Sequence, residues 1–347
     1  MSKNALLTYG GGVADPAKDI LMQLGKNIYC SQKFEKVYIG KYSFESFFNP
    51  EYLIEYNKEL EKLVSDKRGA YFGTCRDINL AKDQHKMNKS IFCLKKNNID
   101  TILVVGGDGT ARQVSEIHEV LNKNGINIIY AIPLTIDGIN GSESIGLEQA
   151  TRESVRQIEN MVATSLETKS EEQFGVVIIE LQGRNRDDIM VESLLYFLEK
   201  EKIADNDLND VLLKVIPANI KSDINKLVEE VNSSSQKTVI LLSEGAKIKL
   251  STLKKKITRK VRTFVVGHPS QSNNMTTEED IEKYSFWVDS VANYILRNLD
   301  HSYCMVKRKN MIWEVPIDYY AKLNPRKKQI PEMDAFSKYW LEAFMAK

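Results

Sequence analysis

Two glycine turns and a carboxylate corner, each following a short apolar run, carry the residue types that phosphate chemistry needs. Gly106-Gly107-Asp108-Gly109-Thr110 follows Thr101-Ile102-Leu103-Val104-Val105 and leads into Val114, Ile117, Val120 and Leu121 at helical spacing. Glycines let backbone N–H groups approach a phosphate closely, and a helix start adds partial positive charge. A carboxylate at the tip of such a turn repels a bare phosphate. Asp108 fits better if a Mg²⁺ ion lies between them. The same residues also read as a tight turn whose Asp108 caps the helix. Gly10-Gly11-Gly12 is a second glycine turn, after Ala5-Leu6-Leu7-Thr8. Thr135-Ile136-Asp137-Gly138 sets a further carboxylate after a third run, Ile128–Ile132, which Pro133 is expected to close. A carboxylate there is suited to take the proton of an attacking hydroxyl. The spacing matches neither the Walker A loop nor the dinucleotide-binding fingerprint.

The elements needed to position these residues are legible as alternation. Lys36–Gly40 reads as a strand. Later strands are Val176–Leu181, ending at Gly183-Arg184; Val239–Leu242, ending at Ser243-Glu244-Gly245; and Thr263–Val266, ending at Gly267-His268. Short apolar runs separated by amphipathic stretches predict an α/β fold with mostly parallel sheets. In open sheets of that kind ligands sit beyond the carboxyl ends of the strands. Lys254-Lys255-Lys256, with Arg259 and Lys260, reads as a solvated basic helix face because no aromatics are interleaved with it.

Composition bounds the rest. With 347 residues, 42% of them hydrophobic and 27% charged, the chain has room for two modest domains with real cores. Its 48 basic residues nearly cancel 47 acidic ones, a net charge of +1. That balance gives no electrostatic footprint for nucleic acid or for an anionic membrane. No apolar run reaches the ~18 residues of a membrane helix, and Gly10-Gly11-Gly12 comes too early for a signal-peptide core. Cys30, Cys75, Cys93 and Cys304 lack metal or disulfide spacing and read as reduced thiols of a cytoplasmic protein. His85, His118, His268 and His301 are dispersed, with no ligand pair among them.

Seven segments in order give the chain a resemblance to the phosphofructokinase family, over roughly residues 8 to 295. They are Tyr9-Gly10-Gly11-Gly12, Phe72-Gly73-Thr74-Cys75-Arg76, Gly106-Gly107-Asp108-Gly109-Thr110, Pro133-Leu134-Thr135-Ile136-Asp137, Gln182-Gly183-Arg184, Ser243-Glu244-Gly245-Ala246 and Val266-Gly267-His268. The resemblance implies two Rossmann-like, three-layer α/β domains with the site enclosed between them. One would be a nucleotide-binding domain of residues 1–148 plus about 270–325. The other would be an acceptor-binding domain of about 149–269 plus 326–347.

It further implies an ATP-dependent, Mg²⁺-requiring phosphotransferase of glycolytic type, acting on a sugar phosphate, with fructose 6-phosphate as the default acceptor, or on a related sugar. A homo-oligomer, dimer or tetramer, is implied as well. Asp137 takes the role of general base and Asp108 that of metal ligand. Arg76 contacts the transferring phosphoryl group, where positive charge stabilises the equatorial oxygens, and Arg184 completes the catalytic set. Gly10, Gly11, Gly106, Gly107, Gly109 and Thr110 line the nucleotide with Arg76 and Asp108. Thr135, Gln182, Gly183, Glu244, Arg262, His268 and Gln271 take the acceptor with Asp137 and Arg184, and Arg262 reaches it across a subunit interface. Gly109 and Leu134 resemble the ATP users rather than the pyrophosphate users, and Phe44 aligns with an aromatic that stacks on adenine.

The departures cluster on the acceptor side. Ile139 stands where the family has a second Asp, Gly12 where it has Asp, Gln182 where it has Met, and Gly175 and Gln271 where it has Arg. A charge-assisted bond to phosphate contributes roughly 1.5–3 kcal/mol. Two missing arginines therefore point to a shifted acceptor. Ile139 and Gly12 also keep open a non-catalytic homologue that binds nucleotide and regulates a partner.

Overall fold

The computed structural model describes residues 3–11, 16–67, 69–75, 79–136, 139, 142–166, 175–182, 187–203, 211–218, 220–267, 277–308 and 311–323. The chain divides into two compact units. The first comprises Met1–Gly146 and Thr276–Lys327, the second Leu147–Met275 and Lys328–Lys347.

The first unit is built on strands β1 (Asn4–Gly10), β2 (Lys36–Gly40), β3 (Leu53–Glu55), β4 (Ile99–Gly106), β5 (Asn127–Thr135), β6 (Ile145–Gly146), β11 (Cys304–Arg308) and β12 (Met311–Val315). Their order is β12-β11-β5-β4-β1-β2-β3, with β6 beside β5. All neighbours are parallel except the two edge strands, β3 and β12. The central strands read as continuous apolar runs because both faces are covered. On one face Leu6, Ile102, Val104, Ile128 and Tyr130 pack with helices α3 (Gln84–Lys96), α4 (Asp108–Asn122) and α10 (Ile317–Leu323). On the opposite face α1 (Ala17–Cys30) lies so close that Gly25 has room for Ile39 and for the Tyr56 ring, and it packs along α9 (Glu278–Ile295).

The second unit is a four-stranded parallel sheet, β10-β7-β9-β8, made of β7 (Val176–Leu181), β8 (Val211–Ile216), β9 (Lys237–Ser243) and β10 (Val261–Val266). Period-two alternation splits its side chains between two cores. Val177, Ile179 and Leu181 meet α5 (Leu147–Leu166) and α6 (Asp188–Ile203). Val176 and Ile178 meet α7 (Ile224–Ser233) and α8 (Leu250–Lys256). Each unit is thus a three-layer α/β sandwich, as expected. No described helix is long and apolar enough to cross a membrane.

Several strands run a residue or two beyond the sequence reading, and one boundary differs in kind. Pro133 does not close β5, which continues through it to Thr135. The ladder with β4 is irregular at Val104/Val105, just before Pro133, and a bulge is where a strand tolerates a residue without an N–H.

Candidate active site

In the first unit the strand succession reverses direction between β1 and β4. β2 follows β1 on one side and β4 lies on the other, which opens a crevice beyond their carboxyl ends. Both glycine turns fall there, in register: Gly10 pairs with Gly106, and Gly106 with Pro133. Close approach explains the glycines. A Cβ on Gly106, whose φ is +159°, would lie 2.5 Å from Thr110 Oγ1 and 2.6 Å from the Gly10 carbonyl oxygen. On Gly10 it would meet Thr110 Oγ1 at 2.8 Å and Ser43 Oγ at 3.2 Å, and on Gly107 it would meet Thr135 Cβ at 3.2 Å. Gly10, Gly11, Gly106, Gly107, Thr110 and Thr135 therefore form one cradle. Its inner wall holds two buried hydroxyls, Ser43 and Thr110, that have no hydrogen-bond partner among the described residues.

Tyr130, on β5 beneath the turn, donates its hydroxyl to the Gly106 carbonyl and lies 3.5 Å from that of Gly107. Its ring packs on Tyr320 of α10, with centroids 5.5 Å apart. Burial holds the Tyr130 phenol well above its ordinary pKa, so it stays a proton donor. Tyr9, beside Gly10, accepts the Phe72 N–H at 2.8 Å and docks the Phe72-Gly73-Thr74-Cys75 loop at the same strand end. Gly73 has φ +76°, and its missing side chain would strike the Tyr42 ring.

Asp108 does not cap α4. Gly107 is the N-cap and makes no side-chain bond. Asp108 is the first helical residue, and its exposed carboxylate is paired with Arg112 at 2.6 Å. A hard oxygen donor at the open end of a backbone cradle suits a Mg²⁺ ion that also meets phosphate oxygens. The Arg112 contact is made through Oδ2, and the carboxylate remains more than half exposed. Gly109 is open: the nearest atom to a Cβ there is Arg112 Nη2 at 3.7 Å.

The second unit gathers a different set. Leu181, Ser243 and Val266 end their strands in mutual register, so Gln182, Glu244 and Gly267 follow at one level along one edge. The Glu244 N–H donates to the Leu181 carbonyl at 2.9 Å. Glu180 stands beside them, its carboxyl pushed up by burial first and by the Glu244 charge second.

A sequence profile described as Phosphofructokinase matches residues 21–292, more than three quarters of the chain. The protein belongs to the phosphofructokinase family. It is 25% identical over 227 residues to ATP-dependent 6-phosphofructokinase 2 of Clostridium perfringens, covering 57% of each chain. It is 28% identical over 180 residues to the ATP-dependent 6-phosphofructokinase of Trypanoplasma borreli, covering 50% of this chain and 35% of that one. These alignments span little more than half and about a third of the relatives' lengths. The Staphylococcus carnosus ATP-dependent 6-phosphofructokinase matches at 26% over 295 residues, 81% of this chain and 82% of that one. Among solved structures, Pichia pastoris phosphofructokinase in the T-state superposes with TM-score 0.75 at 17% identity, over 93% of this chain and 38% of that one. The pyrophosphate-dependent enzyme of Nitrosospira multiformis gives 0.70 at 17%, over 92% and 84%. At such identities the structures establish the shared fold.

Of the family-type residues, the fold joins the two glycine turns, Asp108, Thr110 and Thr135 in one unit, and Gln182 with Glu244 in the other. Arg262 is not with the latter pair. It lies near the amino end of β10, opposite Val177, about 13 Å along the strand from Val266, and packs over the Phe264 ring at 5.1 Å. Gly12, Arg76, Asp137, Gly183, Arg184, His268 and Gln271 lie outside the described residues. Phe44 corrects an expectation: it is 1% exposed, edge-on to Phe47 at 5.1 Å in the apolar core, so its ring has no free face for adenine. Ile139 is likewise built into that core. Gly175, where the family pattern has Arg, is capped by Arg259: a Cβ there would meet the guanidinium at 3.0 Å, and Arg259 donates to the Gly175 carbonyl at 3.1 Å. Arg259 is thus a stitch within the second unit, and the lysines before it are exposed on α8.

Sequence reading overlooked Arg112, Tyr130, Tyr9, Ser43 and Glu180. Arg112 was recoverable from its i,i+4 spacing to Asp108, and Tyr130, Tyr9 and Glu180 as polar groups inside apolar runs. Ser43 carried no local signal.

Proposed function

We propose that this phosphofructokinase family member is a Mg²⁺-dependent phosphotransferase. It would transfer the γ-phosphoryl group of ATP to a sugar phosphate, fructose 6-phosphate by default, or to a related sugar. The observation that carries the reading is the register of Gly10 with Gly106 at the reversal of strand order, which gathers both glycine turns and Asp108 at one crevice. In this reading the cradle binds donor phosphates through backbone N–H groups at the α4 start, and Asp137 takes the acceptor's proton. Arg76 and Arg184 offset charge on the transferring group. Mg²⁺ held by Asp108 would neutralise charge on the donor phosphates.

ATP rather than pyrophosphate is supported by the open flank at Gly109 and by Leu134, an apolar residue buried in the sheet. The curated relatives named above are ATP-dependent by name, while one structural neighbour is pyrophosphate-dependent. A homo-oligomer in the cytoplasm completes the proposal, the latter in keeping with four free cysteines. Ile139, committed to the core, favours a second reading in which the chain binds nucleotide without turnover and regulates a partner.

Steady-state assays with ATP or pyrophosphate, against fructose 6-phosphate and unphosphorylated sugars, test the proposal. Mg²⁺-dependent ADP release with one acceptor is expected. Turnover with pyrophosphate alone overturns the donor assignment. Tight Mg²⁺–ATP binding without transfer to any sugar supports the non-catalytic reading.

A further inference from the structure

The last turns of α4 carry His118 and Glu119, and α10, packed beside that helix, carries Asp318. Some 200 positions separate them in sequence, yet one ligand atom from each lies within 4.8 Å of the others. His118 Nδ1 is 2.8 Å from the Ser115 carbonyl oxygen. A carbonyl only accepts, so Nδ1 carries the hydrogen, and in the neutral ring Nε2 bears the lone pair. Such an outer bond fixes the tautomer and aim of a metal-bound imidazole. Nε2 faces Asp318 Oδ1 at 3.8 Å, beyond hydrogen-bond range. Two electron-pair donors facing each other are satisfied by a proton on Nε2, by a bridging water that donates to both, or by a metal ion, and a nearby third donor, Glu119, favours the metal. Ligands about 2.0–2.1 Å from a tetrahedral ion sit roughly 3.3–3.5 Å apart, so a small side-chain adjustment closes the gap. The side chain of His118 is 12% exposed and held in place, whereas those of Asp318 and Glu119, at 63% and 69%, can adjust. Among the described residues Asp318 pairs with His118, and Glu119 with the exposed Lys123 at 3.8 Å.

We infer that His118, Glu119 and Asp318 form a site for a borderline divalent cation such as Zn²⁺ or Co²⁺, clamping α10 to α4, with a fourth position left to water. One imidazole and two carboxylates prefer such ions to Mg²⁺, which sets this site apart from the one proposed at Asp108. The clamp has a mechanical consequence. α10 also carries Tyr320, which packs on Tyr130, and Tyr130 holds the Gly106 carbonyl. Fixing α10 therefore braces the floor of the glycine turn.

The test uses the full chain freed of metal by chelation, with Zn²⁺, Co²⁺ and Mg²⁺ added separately. Zn²⁺ at a hundredfold excess over its Kd should raise the melting temperature by on the order of 5 °C, and Mg²⁺ should not reproduce the shift. Co²⁺ should give visible d–d absorption. Asp318→Asn, at the surface, should melt like the metal-free wild type, and both it and the half-buried His118→Gln, each compared with its own metal-free form, should lose the Zn²⁺ shift and the Co²⁺ bands. Asp108→Ala should keep both. No Zn²⁺ shift, or one that survives in His118→Gln and Asp318→Asn, overturns the site. A pH-dependent stability lost in His118→Gln without any metal effect would assign the gap to a proton instead, and overturns it equally.

Discussion

Gly73→Ala separates two costs that meet at one residue of the loop leading to Arg76. Gly73 has φ +76°, a conformation an L side chain adopts only with strain, and an added Cβ would lie 2.4 Å from Tyr42 Cδ1 and 2.5 Å from Cε1. The backbone term is about 1–2 kcal/mol. The overlap is with a ring held edge-on by Tyr52 at 4.9 Å. Tyr42 is 38% exposed and can yield in part, so overpacking adds about 1–3 kcal/mol according to how far the ring turns. Gly73→Ala alone should therefore cost about 2–5 kcal/mol for the first unit. In a Tyr42→Ala background the overlap is gone, and the same substitution should cost only about 1–2 kcal/mol. The coupling of about 1–3 kcal/mol is read from urea denaturation of the four proteins in the double-mutant cycle, followed by a spectroscopic signal of the first unit. A neutral Gly73→Ala would refute the close approach. An equal cost in both backgrounds would leave only backbone strain and remove Tyr42 from the argument.

Three further outcomes are expected. His301 bonds Glu314 and Asp300, each at 2.8 Å, and these bonds raise its pKa above the ordinary value. Its contribution, about 0.5 kcal/mol after discounting for exposure, should be fully present below pH ~6.5 and lost as pH rises through the raised value; His301→Gln should flatten the stability–pH curve in that window. Asp137→Asn should lower kcat by roughly 10²–10⁴-fold while ATP affinity, measured by calorimetry, hardly changes; near-normal turnover would remove Asp137 as the base. Gln271→Arg should lower the KM for fructose 6-phosphate by roughly tenfold or more, since one restored charge-assisted bond contributes about 1.5–3 kcal/mol; a wild-type KM already well below millimolar would sink the idea of a shifted acceptor.

The central strands were legible in the sequence because parallel strands buried on both faces must be apolar throughout. The glycine turns were legible because only glycine tolerates the conformations and contacts they make. β8 escaped the reading: its Lys214 breaks the apolar run, and only Glu230 of α7, 2.8 Å away, shows how the charge is accommodated. The antiparallel pair β11–β12 escaped as well, since an edge hairpin lacks the doubly buried pattern. Residue type alone misled at Phe44, where an aromatic suited to stacking is used instead to fill the core.

The sequence by itself determined that this is an α/β protein of phosphofructokinase type, with glycine turns at its strand ends. Those features are local: apolar periodicity, turn chemistry and an ordered set of short motifs. Tertiary structure decided what depends on strand order and register. It set Gly10 level with Gly106, put Tyr130 under the turn, brought Arg259 to Gly175, and carried Asp318 to His118. Partners like these come mostly from segments far apart in the chain, where the folded core rather than neighbouring sequence fixes who meets whom.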